Sequence, residues 1–127
     1  MDARSEANLA QVEPDLVHVV REAALTSAFI VIEGLRTPAE EARNVAKGAS
    51  QTMHSRHLAD QSGLAAAVDL MALDANGNGT WETSAYEALA EVMKAAAAKL
   101  EIEIQWGGDW TTLKDMDHFQ LPWASYP

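Results

Sequence analysis

Apolar residues recur at helical spacing behind Glu13-Pro14, at Leu16, Val17, Val19, Val20, Ala23 and Ala24, and predict a helix over residues 14–26. The run Phe29-Ile30-Val31-Ile32 is short, apolar and β-branched, which predicts a buried strand delivering Glu33-Gly34-Leu35-Arg36 at its exit. Thr37-Pro38-Ala39-Glu40 has the form of a capping box and opens a second helix over 38–47. Residues 48–63 have no sustained period and contain both His54 and His57. A loop of that length in a small domain tends to carry function.

Residues 65–73 predict a second strand, weakened by the three alanines that open it. Asp74-Ala75-Asn76-Gly77-Asn78-Gly79 is a strong turn signal, after which Thr80 and Trp81 are expected to return as a short hairpin strand. Ser84 and Glu87 form a second capping-box pattern, and 86–100 is an Ala-rich helix with Leu89, Val92, Met93 and Ala96 on one face. The alternation over 102–106 predicts a half-buried strand that Gly107-Gly108 breaks, and 118–121 is expected as a last short strand. Mixed elements and an Asn-Gly turn predict an α+β fold, with a mainly antiparallel sheet flanked by helices.

The chain of 127 residues is long enough for one compact domain, expected over 1–127 with its core at about 8–121. Of the 48% hydrophobic residues, 24 positions are Ala, so the core must come from relatively few Val, Ile, Leu, Met, Phe and Trp side chains. A net charge of -10 without a basic cluster argues against nucleic acid and against anionic membrane surfaces. The lack of cysteine excludes disulfides, thiolate catalysis and cysteine-ligated zinc. With no signal-peptide pattern and no membrane span, synthesis is expected in a cytosol. Action outside it would need release by another factor.

A transition-metal site in this chain must therefore be built from His, Asp and Glu. His18 falls within the apolar helix and is read as a partly buried structural residue. His57, Asp69 and His118 offer two imidazoles and a carboxylate, which with an open fourth position is a catalytic zinc arrangement. Such a metal lowers the pKa of its water to roughly 7, and Asp115 or Asp117 is available to take the proton. With four His and nineteen Asp+Glu, spacing alone does not single out this triple.

The words around these residues do. Glu33-Gly34-Leu35-Arg36-Thr37, Ser50-Gln51-Thr52-Met53-His54-Ser55-Arg56-His57-Leu58, Ala67-Val68-Asp69-Leu70, Trp106-Gly107-Gly108-Asp109-Trp110 and Asp115-Met116-Asp117-His118-Phe119 occur in that order. Together they closely resemble phage and prophage peptidoglycan endopeptidases. These belong to the zinc family of L-alanyl-D-glutamate endopeptidases and D-alanyl-D-alanine carboxypeptidases and dipeptidases. The resemblance runs from about Asn8 to Leu121. It implies a fold of the D-Ala-D-Ala carboxypeptidase/Hedgehog-like type, one Zn2+ held by His57, Asp69 and His118, and Asp115 as general base. It further implies Arg36 facing the scissile carbonyl, where a fixed donor stabilises the oxyanion, with Ser55 and Trp106 at the substrate. Arg36 has a simpler alternative, pairing with Glu33 or Glu40.

The implied activity is zinc-dependent hydrolysis of the peptidoglycan stem peptide at L-alanyl-D-glutamate bonds. The implied setting is a monomeric phage endolysin, made in the host bacterial cytoplasm and released to the periplasm or wall through a separate pore-forming protein. The alternatives are a D,D-carboxypeptidase acting on terminal D-Ala and a non-catalytic wall-binding relative. The sequence departs from the family where eleven residues, Leu58 to Val68, separate His57 from Asp69. Relatives have a shorter spacing that ends Gly-x-Ala-x-Asp, and here Ala65 stands where that glycine would align. The extra residues must either bulge outward or shift the strand register and turn Asp69 away.

Two further features have ordinary readings. Asp74-x-Asn76-x-Asn78-Gly79 copies the first half of a Ca2+ loop, but Ala85 stands where the bidentate glutamate belongs, and a hairpin turn is the preferred reading. Trp81, Trp106, Trp110 and Trp123 can stack on sugar rings, or the central pair can pack beneath the site.

Overall fold

A computed structural model of the chain describes residues 1–47, 55–112 and 114–127. His54 lies outside the described residues. The elements among the described residues are α1 (Ala3–Leu9), α2 (Pro14–Ala24), β1 (Phe29–Glu33), α3 (Pro38–Ala46), β2 (Ala67–Ala72), α4 (Thr83–Leu100), β3 (Gln105–Trp106) and β4 (His118–Gln120), with a 3-10 turn at Gly107–Asp109. The strands form one antiparallel sheet in the order β1-β2-β4-β3. This is the α+β architecture that the mixed pattern predicts.

Helix α2 buries Leu16, Val19, Val20 and Ala23, and α4 buries Leu89, Ala90, Met93, Ala96 and Ala97. These stripes share one core with Phe29, Val31, Val68, Leu70, Ala72 and Phe119 of the sheet. Side chains alternate across a strand, so Asp69 between Val68 and Leu70 turns to the other face. The core face of the sheet is apolar and the opposite face is free to carry polar groups.

Helix α1 is an element that the hydrophobic pattern does not predict. Asp2 caps it by accepting from Ser5 N at 2.8 Å. Its polar side chains then serve the edge strand: Val31 N donates to the buried Ser5 Oγ at 2.9 Å, and Asn8 Nδ2 donates to Val31 O at 2.8 Å. Edge backbone groups that would otherwise be open are thereby satisfied. Gly34 lies against the same helix, where a Cβ would come within 2.0 Å of Asn8 O.

Several boundaries differ from expectation, α2, α3 and β4 only by one or two residues at their ends. The strand expected over 65–73 shortens to β2, with Ala65 making isolated bridges to Val12 and Ala59 and Leu73 bridging Gly79. That last bridge is all that forms of the hairpin return expected at Thr80 and Trp81. Trp81 instead stacks, exposed, on Tyr86 at 5.8 Å between centroids. Helix α4 begins at Thr83 with Glu82 as an N-cap that makes no side-chain cap bond, so Ser84 and Glu87 form no capping box. The Thr37–Glu40 capping box does form on α3, with bonds of 3.1 Å in both directions. The strand expected over 102–106 narrows to Gln105–Trp106.

Candidate metal centre

The register of the sheet builds the site. Asp69 pairs with His118 across β2 and β4, and Gln120 pairs with Ala67 on one side and Gln105 on the other. On the far side of β2, Val31 pairs with Leu70 but Glu33 pairs with Asp69, because a bulge absorbs Ile32. That extra residue moves Glu33 from the core parity of Phe29 and Val31 to the face of Asp69. Glu33, Asp69, His118, Gln120 and Gln105 thus line one face of the sheet.

His57 reaches this face from the segment before β2. Its Nε2 lies 3.1 Å from Asp69 Oδ1, and His118 Nδ1 lies 3.3 Å from the same oxygen. The imidazoles are edge to face, 5.1 Å apart at 77°. One donor atom from each of the three residues lies within 4.8 Å of the others, and all three residues are buried. The outer nitrogens are also engaged: His57 Nδ1 is 2.8 Å from Gly34 O, and His118 Nε2 is 2.7 Å from Gln120 Oε1. A carbonyl only accepts, so Nδ1 of His57 carries a proton and Nε2 is the nitrogen turned inward, donating to Asp69 when protonated and offering a lone pair to an ion when not.

Burial raises the Asp69 carboxyl, but hydrogen bonds and charge from His118 and His57 outweigh it and hold the group well below the usual carboxylate range. Burial alone would lower His57; the bond to Asp69, its charge and the Gly34 carbonyl more than offset this and raise it. Asp69 is therefore a carboxylate at neutral pH, with a nitrogen of each imidazole turned toward it. Two neutral imidazoles and a carboxylate are the chemistry that a divalent transition metal needs, and these donors fit one.

Asp115 and Asp117 stand beside this cluster, each with a carboxylate oxygen within 4.8 Å of Asp69 and of each other. Asp115 is exposed at the rim. Asp117 is pushed up to about 9 by burial, by its bond to Asp115 and by the charges of Asp69 and Asp115.

Arg36 is buried next to His57, whose carbonyl accepts from Arg36 N at 2.8 Å. Its guanidinium forms a fork with Glu33, both bonds 2.7 Å, and reaches the fully buried Glu41 at 2.5 Å. Pairing with Glu33 is as the simpler reading has it; Glu40 is occupied by the capping box, and Glu41 takes the second place. Glu41 itself carries no obvious sequence signal. Ser55 Oγ accepts from His57 N at 3.1 Å, so the serine fixes the turn that presents the histidine.

Trp106, expected at the substrate, is buried beneath the loop, where its Nε1 donates to Met116 O at 2.7 Å and its ring stacks on Phe119. Trp110 is the indole beside the cluster, 5.3 Å from the His118 ring. Gly107 lets the Asp115 main chain pack against it, since a Cβ there would meet Asp115 O at 2.1 Å.

Within the eleven residues from Leu58 to Val68, the stretch that bulges outward is Ala59 to Leu64, and Ala65 to Val68 are buried. Ala59 bridges Ala65, Asp60 Oδ1 accepts from Ser62 N and Leu64 N, and Gly63 turns the chain at φ +80°. Because this small hairpin closes on itself, the register of β2 is kept and Asp69 faces the histidines. In the turn after β2, Asp74 Oδ1 accepts from Asn76 N and Asn78 N, the hairpin-turn geometry. His18 is exposed rather than partly buried, since the stripe of α2 runs through Leu16, Val19 and Val20.

A four-stranded antiparallel sheet with helices on its apolar face and a His-Asp-His set on its polar face defines a small hydrolase whose site suits a metal ion. The sequence matches the phage L-alanyl-D-glutamate peptidase family over residues 1–120, and the chain belongs to that family. It is 32% identical over 128 residues to the L-alanyl-D-glutamate peptidase of Escherichia phage T5, covering 96% of this chain and 88% of that one. The namesake of Listeria phage A118 is 36% identical over 97 residues, 76% of this chain but 31% of that longer protein. Among solved structures, the Serratia marcescens L-Ala D-Glu endopeptidase ChiX matches with a TM-score of 0.87 and 43% identity, covering 98% of this chain and 91% of that one.

Proposed function

We propose that this chain is a zinc-dependent peptidoglycan hydrolase that cleaves the L-alanyl-D-glutamate bond of the stem peptide. The observation that carries the reading is the convergence of His57, Asp69 and His118 beside Asp115 and Asp117, in a member of this peptidase family. His57 Nε2, one Asp69 oxygen and His118 Nδ1 would hold the ion. When bound, it supplies an activated water and polarises the carbonyl under attack.

The remaining roles belong to the chain. Asp115, at the exposed rim, accepts the proton of the attacking water and returns it to the leaving amine. Arg36 has three of its five N–H bonds held by Glu33 and Glu41, which fixes its plane for a donor facing the scissile carbonyl. Ser55 accepts from His57 N and keeps its hydroxyl proton to donate to the substrate. Trp106 acts from below, holding the loop of Asp115 and Asp117.

All donors come from one chain, so one copy makes a complete site and the protein works as a monomer. Synthesis takes place in the host bacterial cytoplasm, and the enzyme meets the wall after release through a pore made by another protein. Among the described residues, no helix is long and apolar enough to cross a membrane.

Mass spectrometry of purified peptidoglycan after digestion by zinc-loaded protein, with a chelated control, tests the reading. New chelator-sensitive N-termini at D-Glu are expected. Loss of terminal D-Ala alone would make the protein a carboxypeptidase, and an unchanged digest would leave a wall-binding relative.

A further inference from the structure

The two histidines of the site are oriented by different means. His57 leans on a main-chain carbonyl, Gly34 O, which fixes its tautomer whatever side chains surround it. His118 leans on a side chain. Its Nε2 meets Gln120 Oε1 at 2.7 Å, and Gln120 Nε2 donates in turn to Gln105 Oε1 at 2.9 Å. Gln120 is buried, lies two residues along β4 on the same face, and has the exposed Gln105 as its register partner on β3.

We infer that Gln120 is the positioning residue of the metal centre, accepting the Nε2 proton of His118 so that the Nδ1 lone pair faces Asp69 and the metal, with Gln105 holding the Gln120 amide in that orientation. The physical reason is that an amide offers an oxygen on one side and an NH2 on the other. Turned over, Gln120 would present a donor to Nε2, drive the imidazole proton to Nδ1 and block the ligand position. Gln105 Oε1 holds the amide the right way by occupying its NH2. Outer-shell partners of this kind set ligand orientation and basicity in metal sites generally.

The inference rests on the zinc reading above, and its test separates the two. Zinc affinity is measured by competition with a chromophoric chelator for the wild type, Gln120→Met and Gln120→Glu, with thermal melts of each metal-free protein. Gln120→Met removes the acceptor at similar size and is expected to weaken zinc binding by about ten- to a hundredfold. Gln120→Glu restores an oxygen that can only accept, and its affinity is expected to stay within about threefold of the wild type. Gln105→Ala frees the amide to turn and is expected to fall between them.

A wild type that does not bind zinc sinks the zinc reading. A wild type that binds while Gln120→Met binds equally well overturns the inference alone, as does equal loss in the Met and Glu variants, which would make packing the cause. Independently of any variant, long-range 1H–15N correlation of the zinc-loaded wild type should show the His118 proton on Nε2. A proton on Nδ1 would overturn the assignment even if Gln120→Met fails to fold.

Discussion

Asp69 and His118 are register partners across β2 and β4, and the Nδ1 of one lies 3.3 Å from the carboxylate of the other. An antiparallel ladder puts such partners on one face at close range, so the sheet itself sets most of the site. Asp69→Asn keeps the shape but removes the charge that both imidazoles address. We expect zinc affinity to fall by at least the roughly ten- to hundredfold that outer-shell changes cause, and chelation to lose its effect on the melting temperature. In the wild type, free zinc at roughly a hundredfold above Kd should add about 2.7 kcal/mol of stability by linkage. Equal melting curves with zinc and with chelator would remove the metal from this site.

The two acidic neighbours should separate. Asp115 is exposed at the rim, whereas Asp117 is pushed up to about 9 and holds its proton at neutral pH in the metal-free protein. Asp115→Asn is expected to lower kcat by about 10²–10⁴, the usual worth of a general base, with zinc affinity retained. Asp117→Asn imitates the protonated acid and should cost less than about tenfold. Digestion kinetics and chelator competition on both variants check this. The reverse ranking would give the proton transfer to Asp117.

Arg36 joins site and scaffold. Arg36→Ala takes from the fully buried Glu41 its 2.5 Å partner, and breaking a buried pair this way costs about 3–5 kcal/mol. Arg36→Lys keeps the charge but cannot reproduce the fork on Glu33. It is expected to recover most of the stability and little of the activity. Denaturant melts and digestion rates give the two readouts, and full activity in the Lys variant would reduce Arg36 to a structural cation.

The parts of this arrangement that could be read in the chain are those carried by local words. Leu16 to Ala24, Phe29 to Glu33 and the Thr37–Glu40 capping box each specify their own element. His57, Asp69 and His118 stand in motifs that name them. What was hidden depends on which strands meet. Nothing local to Ser5 and Asn8 announces that they will satisfy the edge of β1, and α1 has too little apolar periodicity to show itself. Glu33 reaches the site only because a bulge at Ile32 reverses its face, which no alternation pattern encodes. Gln120 was the most accessible omission, since two residues along a strand from a ligand is the same face.

A pH dependence of stability is set apart from the active site by Glu13. The residue is buried at the start of α2, and burial with the adjacent Asp60 carboxylate pushes it up to about 7 from 4.5. Arg56 lies in the same pocket, held by Tyr126 O and with Trp123 over its guanidinium at 3.9 Å. Because the folded state binds this proton more tightly than the unfolded chain, the contribution of Glu13 is fully present below pH 4.5 and is lost as pH rises to about 7. Glu13→Gln is a permanent copy of the protonated form. Its stability should match the wild type at about pH 4 and exceed it at pH 8 by up to about 3 kcal/mol. Urea melts of both proteins across this range measure the difference directly, which cancels the titrating groups that do not touch Glu13 and leaves the Glu13–Asp60 pair. A gap that is constant with pH would mean that Glu13 titrates alike in the folded and unfolded chain, and one that widens toward acid that folding lowers its pKa.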